Sequence, residues 1–275
     1  MSAYARPSAL EDALQLMQDG QHRLLAGGTD VYPGAGSGLA GDVLDVTGIA
    51  GLRGMSLQNG LRIGGCTTWT DIAEAALPDA MAALQMAARA VGGRQVQNVG
   101  TIAGNLCNAS SAADGVPPLL VCDAVVELAS VRGVRRMPLT AFITGPRQTA
   151  RAADEMLVAV HIPAAGLQGR SVFLKLGARA YLVISIAMVA VRLVRDGSRV
   201  GDIAVAVGAC SGVAQRLPLV ERALIGAPLR DVASSVRAPD VAASLQPIAD
   251  IRASAEYRAQ AAAELVARAV VQVAT

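Results

Sequence analysis

Aromatic residues are scarce in this 275-residue chain: two Phe, four Tyr and one Trp make up 3% of it. A surface that stacks successive bases of single-stranded nucleic acid needs more rings than that. The core must therefore be built from Ala, Val, Leu and Ile. A surplus of one charge is lacking too. The net charge is +2 and no basic tract gathers it, so the electrostatic footprint of a nucleic-acid binder is missing. The four cysteines, Cys66, Cys107, Cys122 and Cys210, form no CxxC pair and have no close histidine. Zinc and iron–sulfur centres draw on clustered ligands, so neither is expected on this chain. The cysteines read as small buried hydrophobes, with Cys107 set apart by its place in a glycine-containing stretch. The longest apolar run, Tyr181 to Val191, is shorter than the ~20 residues of a membrane helix and is closed by Arg192. The opening MSAYARPSALEDAL lacks the basic-then-apolar order of a signal peptide. These absences predict a soluble, cytoplasmic protein.

What the chain does have is length and apolar content. With 53% hydrophobic residues it can bury a sizeable core, as two domains or one large one. Two stretches stand out, LLAGGTDVY at 24–32 and TIAGNLCNASSAAD at 101–114. Each sets glycine and small polar residues directly after apolar, β-forming ones. Gly27, Gly28 and Gly104 would let a backbone approach a ligand and aim N–H groups at phosphate oxygens. Thr29, Thr101 and Asn105 add short donors, and Asp30 and Asp114 add acceptors. The pair reads as two loops clamping a nucleotide-type cofactor, although either alone also fits an ordinary strand-to-helix turn.

In chain order, Ser8-Ala-Leu-Glu11 reads as a capping box opening a helix to about Asp19, which Gly20 ends. A strand over 22–26 then delivers the chain to Gly27. The run Gly34-Ala-Gly36-Ser-Gly38 has GxGxG spacing after Pro33, which departs from the GxGxxG of a Rossmann fold and predicts a turn-rich segment. Strands are expected over 43–46 and 61–65, a short helix from Thr70, and a longer one over 80–91 capped by Asp79 and ended by Gly92-Gly93. Residues 94–99 lead into the second loop, with Arg94 a solvated cation. Beyond Asp114, residues 116–122 should be helical with both prolines in the first turn, and Asn105 could sit at its mouth. A pyrophosphate would suit such a helix N-terminus. A hairpin follows about Arg132-Gly133. Residues 155–163 read as a strand closing the sheet, with Met156, Val158, Val160 and Ile162 on its apolar face and His161 on the surface. The segment 164–170 reads as a linker between domains. Three antiparallel strands, hinged at Asp196-Gly197, and an amphipathic helix over 250–273 complete the chain.

AGGTD at 26–30, TIAGN at 101–105 and the later ASSAAD, in that order and spacing, resemble the FAD-binding medium subunit of the molybdenum hydroxylases, the family of xanthine dehydrogenase and carbon monoxide dehydrogenase. The resemblance runs over nearly the whole chain, including Tyr257-Arg258 near the end. Two departures stand out: Ala103 where the family commonly has glycine, and Ser111 where it commonly has proline. The alanine methyl predicts a slightly shifted loop.

The resemblance implies an α+β fold. A two-lobed FAD-binding domain of the vanillyl-alcohol-oxidase-like type would occupy residues 1–165, with lobes of about 1–53 and 54–165. A smaller C-terminal domain with a three-stranded antiparallel sheet and helices would occupy 170–275. FAD would be held by Leu25, Ala26, Gly27, Gly28, Thr29, Asp30 and Val31 from the first loop and by Thr101, Ile102, Ala103, Gly104, Asn105 and Asp114 from the second. Leu157, Lys175 and Tyr181 would complete the set, and no metal ligand is implied. By the same resemblance, electrons would arrive from [2Fe-2S] centres on a small subunit, and substrate would react at molybdopterin on a large one. An external acceptor would take the electrons away, in a possible dimer of heterotrimers. Two other readings stay open: a self-contained FAD-dependent reductase of the same fold, and a scaffold subunit that has lost flavin.

Overall fold

The structure is a computed structural model and describes residues 3–36 and 38–275. Met1 and Ser2, of the opening segment, and Ser37, of the glycine run, lie outside the described residues. The first unit contains β1 (Tyr4–Ala5), α1 (Leu10–Asp19), β2 (His22–Leu25) and β3 (Asp42–Asp45). Its three strands form a parallel sheet in the order β1-β3-β2. Helix α1 starts after Ala9, whose extended backbone takes the N-cap position with no side-chain cap, so the capping box expected at Ser8 does not form.

The second unit begins with β4 (Met55–Leu57), β5 (Gly60–Gly64), α2 (Trp69–Glu74), α3 (Ala82–Ala90), α4 (Arg94–Val99), α5 (Ile102–Asn108) and α6 (Val116–Val121). It continues with β6 (Val125–Ser130), β7 (Gly133–Pro138), α7 (Leu139–Phe142), β8 (Ile143–Gly145), β9 (Gln148–Thr149) and β10 (Met156–Pro163). Strands β4-β5-β10-β6-β7 make a five-stranded sheet. Strand β10 lies at its centre, pairing with β5 and β6, and does not close an edge. Its register shifts between Leu157 and Ala159, and that bulge breaks the expected alternation. Met156 and Val158 join the core under α1, while Leu157, Val160 and Ile162 join the core formed by Ile72, Leu84, Ile102 and Leu106. His161 is half-buried and hydrogen-bonded to Glu127 at 3.0 Å, so it is not a free surface residue.

Other local expectations change in the same unit. Asp79 lies inside a 3-10 turn, and Met81 takes the position before α3. Arg94 opens α4 and pairs with Glu74 at 2.6 Å, and its side chain is solvated as expected, 61% exposed. The second glycine stretch is largely helix: Thr101 caps α5, its Oγ1 accepting from Gly104 N–H at 3.1 Å.

The third unit has β11 (Arg170–Leu176), β12 (Ala187–Asp196), β13 (Arg199–Gly208), β14 (Gln215–Arg216), α8 (Pro218–Leu224), α9 (Val232–Ser235), α10 (Ala238–Ala242) and α11 (Ala255–Ala274). Its sheet has four strands, β11-β12-β13-β14, because the short β14 adds to the three expected. Ala262, Val266, Ala269, Val270 and Val273 give α11 a buried stripe at helical spacing, which packs on Val189, Val191, Val205 and Val207. The helix starts at Ala255 behind a Ser254 cap, later than expected, since Asp250 and Ala253 are paired in a turn. Arg258 is fully buried and donates to the carbonyls of Ile186 and Ala209 and to Asp250. The segment after β10 is a packed 3-10 turn, where a side chain on Gly166 would meet the Cys122 carbonyl at 2.2 Å.

Candidate cofactor site

The first and second units meet at a cleft of about 490 Å³, within the size range of small-molecule sites. Strand β2 delivers the chain to Ala26, and Gly28 then turns it with φ +71°, a conformation that favours glycine. From Ala26 to Val31, no backbone N–H donates to an acceptor among the described residues. That run of donors lines the cleft. Gly27 serves a purpose the sequence does not reveal: a Cβ there would lie 1.8 Å from the Val99 carbonyl oxygen. Its glycine lets the first unit touch the second, where the cleft is formed.

The second wall is built differently. Ile102 N–H donates to Thr67 and Ala103 N–H to Gly65, Gly104 N–H goes to the Thr101 side chain, and Asn105 N–H goes to the Thr101 carbonyl. These donors are spent on the fold, so the free donors belong to the first loop. Ala103 is accommodated because it faces Gly65, where a Cβ would come within 3.1 Å of its methyl. Asn105 Oδ1 is buried beside Gly115 with no donor among the described residues. Asn105 thus sits at the mouth of α6, as expected. At that mouth Trp69 packs on Gly115, Val116 N–H donates to the Ala113 carbonyl, and Pro117 and Pro118 have no N–H. The first turn of α6 therefore has no unspent amide to offer a pyrophosphate.

Of the sixteen residues named from the sequence, the cleft brings together Ala26, Gly27, Gly28, Thr29, Asp30, Val31, Thr101, Ala103, Gly104, Asn105 and Leu157. Leu25 and Ile102 are buried in the core behind them. Asp114 and Lys175 do not line the cleft. They form a buried ion pair at 2.6 Å between the second and third units. Ser185 donates to the other Asp114 oxygen at 2.6 Å, and Lys175 also donates to the Ala90 carbonyl. Burial raises the Asp114 pKa above the ordinary carboxylate value, and Lys175 and Ser185 oppose the rise. Tyr181 is 80% exposed, on the loop between β11 and β12. Next to it, Leu182 packs over Gly93.

Sequence reasoning missed Trp69, Met156, Cys66, Arg23 and Arg151, which also line the cleft. Met156 and Leu157 face opposite cores by ordinary strand alternation, and the bulge that follows puts Leu157 on the same side as Val160 and Ile162, a shift that no periodicity signalled. Cys107 lines the cleft, but burial pushes its thiol up to about 11 despite the nearby Arg151 cation, so it is protonated and sluggish near neutral pH. No group of three or more His, Cys, Asp or Glu among the described residues is placed to hold a metal. No helix among them is long and apolar enough to cross a membrane.

A concave, two-walled cleft with a row of free N–H groups on one side defines an anion-tolerant site for an extended cofactor. Residues 1–165 match the family described as the FAD binding domain in molybdopterin dehydrogenase, and residues 173–273 match the CO dehydrogenase flavoprotein C-terminal domain. The chain belongs to this family of FAD-binding medium subunits of molybdenum hydroxylases. It is 33% identical to the xanthine dehydrogenase FAD-binding subunit of Escherichia coli O157:H7 over 94% of this chain and 90% of that one. It is 32% identical to the nicotine 6-hydroxylase medium subunit of Paenarthrobacter nicotinovorans over 98% and 96%. The fold is that of a chain of carbon monoxide dehydrogenase from Hydrogenophaga pseudoflava, with a TM-score of 0.88, 26% identity and coverage of 98% and 96%.

Proposed function

We propose that this chain is the flavoprotein subunit of a xanthine dehydrogenase-type enzyme, the station between [2Fe-2S] centres on a small partner subunit and an external electron acceptor. The single observation that carries the reading is the row of backbone N–H groups from Ala26 to Val31, free of acceptors and lining the cleft. Amides fixed in that arrangement complement a pyrophosphate without needing a charged side chain.

FAD supplies the electron-carrying chemistry when bound, and the chain's residues bind it, orient it and keep water from it. Ala26 to Val31 hold the diphosphate. Thr101, Ala103, Gly104, Asn105 and Leu157 shape the facing wall, with Leu25 and Ile102 supporting from behind. The Asp114–Lys175 pair fixes the C-terminal unit, residues 170–275, against the cofactor-holding residues 1–165. Tyr181 stands on the loop beside the entrance. The cysteines lie apart, with thiols raised by burial, which favours iron–sulfur centres supplied by another chain. On this reading a large subunit carries molybdopterin, two such heterotrimers pair, and the assembly works in the cytoplasm.

Co-expression with the products of neighbouring genes, followed by visible spectroscopy of the purified material, tests the proposal. Flavin absorption with iron–sulfur bands and two co-purifying chains is expected. Flavin in a chain that purifies alone would replace the proposal by a self-contained reductase. A colourless, folded product would leave only the scaffold.

A further inference from the structure

We propose that Arg151 recognises the adenosine half of the cofactor and makes the site select a dinucleotide over a flavin mononucleotide; this rests on the flavoprotein reading above. Arg151 lies in the turn before β10 and lines the cleft. Its Nη1 donates to the carbonyls of Ala152 at 3.1 Å, Ala153 at 3.4 Å and Glu155 at 2.6 Å. Nε and Nη2 have no acceptor among the described residues. A guanidinium pinned on one side by backbone carbonyls, with its plane and other donors left over, is prepared for a planar, hydrogen-bonding ligand.

The cleft's layout says which part of the ligand it meets. Gly27 packs on Val99, so the free N–H groups of the first loop stand at the N-terminal end of α5. Arg151 lines the cleft together with Cys107 and Asn108 at the other end of α5, and the adjoining β8–β9 turn is tied there through Arg147 N–H to the Ala109 carbonyl. The seven residues of α5 separate the two ends by about 10 Å. The cleft is also lined by Val91 and Val96, on the segment that carries Gly93, over which Leu182 of the third unit packs. An apolar end overlooked by a second unit suits the flavin ring, which must be reached by a partner. The adenosine then extends along α5 to Arg151. A merely structural arginine would make only the bonds to the carbonyls of Ala152, Ala153 and Glu155, and the end of α5 already has a cation in Arg147, which donates to the Asn108 carbonyl.

The test is affinity of the full-length, flavin-depleted chain for FAD, FMN and ADP, measured by flavin fluorescence and calorimetry, in the wild type, Arg151→Ala and Arg151→Lys. A contact with the adenosine predicts about a tenfold loss for FAD and for ADP in Arg151→Ala, the size of a partly desolvated guanidinium–ring contact. FMN affinity stays unchanged, which also reports that the cleft is folded. Arg151→Lys keeps the charge but not the plane, and is expected to lose most of the same affinity. Should Arg151→Ala not fold, Arg151→Lys carries the comparison. Equal losses for FAD and FMN, or full rescue by lysine, would assign Arg151 to a phosphate or to the fold and overturn the proposal. Unchanged FAD affinity in a wild type that binds FAD would overturn it and leave the flavoprotein reading standing. A wild type that binds none of the three would overturn both.

Discussion

Lys175 and Asp114 show how differently a residue reads in sequence and in space. Both are expected, by resemblance, to face FAD, and each is polar at a position where a cofactor contact makes chemical sense. In the structure they face each other at 2.6 Å, with side chains 12% and 8% exposed. Removing one partner of a buried pair leaves the other charge without compensation, which costs about 3–5 kcal/mol. Lys175→Met is therefore expected to lower unfolding free energy by roughly that amount in a urea titration, and Asp114→Asn combined with it to recover part of the loss. A variant with wild-type stability and weakened flavin binding would return Lys175 to the cofactor. The contrast with Ala26 to Val31 is instructive. There the motif is local, glycine and small residues directly after a strand, and the sequence alone points to the donors. The pairing of residues 114 and 175 depends on how two units dock, which no local pattern encodes.

At the scale of elements, the longer strands were legible, while the short β1, β4, β8, β9 and β14 and the second glycine stretch were not. Strand β6, the β6–β7 turn and the β12–β13 hairpin follow from β-branched runs punctuated by glycine. Helix α5 was read as a loop because Gly104 and Asn105 lower helix propensity. It forms because Thr101 caps it and because Ile102 and Leu106, one turn apart, are both fully buried. That spacing was the signal available. The bulge in β10 left no such trace, and the turn and strand start just before it set Arg151, Met156 and Leu157 about the cleft. Glu155 anchors that turn. Its carboxylate takes Arg135 Nε at 2.5 Å and Nη2 at 2.8 Å, and Ala152 N–H at 2.7 Å. The Arg135 guanidinium above all holds the Glu155 pKa down to about 2. Because the folded value lies below the unfolded one, the stabilisation is complete above the ordinary glutamate pKa of about 4.3 and is lost as pH falls toward 2. Glu155→Gln is expected to be less stable than wild type by roughly 2 kcal/mol at pH 7, with the gap closing between pH 4.5 and 2 in denaturant titrations. A gap that stays constant with pH would assign the effect to packing.

Across the whole molecule, three sheet-based units divide the work. The first offers unspent amide donors and the second closes the cleft against them. The third is held to the second by Asp114 with Lys175 and Ser185, by Arg192 donating to the Val121 carbonyl, and by Ser171 accepting from Ala83 N–H. Family membership fixes the class of cofactor, and the geometry says which atoms the fold leaves available for it. The most direct measurement is hydrogen exchange of the Ala26 to Val31 amides in the purified full-length chain, with and without FAD. Saturable binding of one FAD per chain that slows exchange across those amides is the expected result. FAD binding that leaves their exchange unchanged, or no FAD binding by a folded chain, would contradict the account.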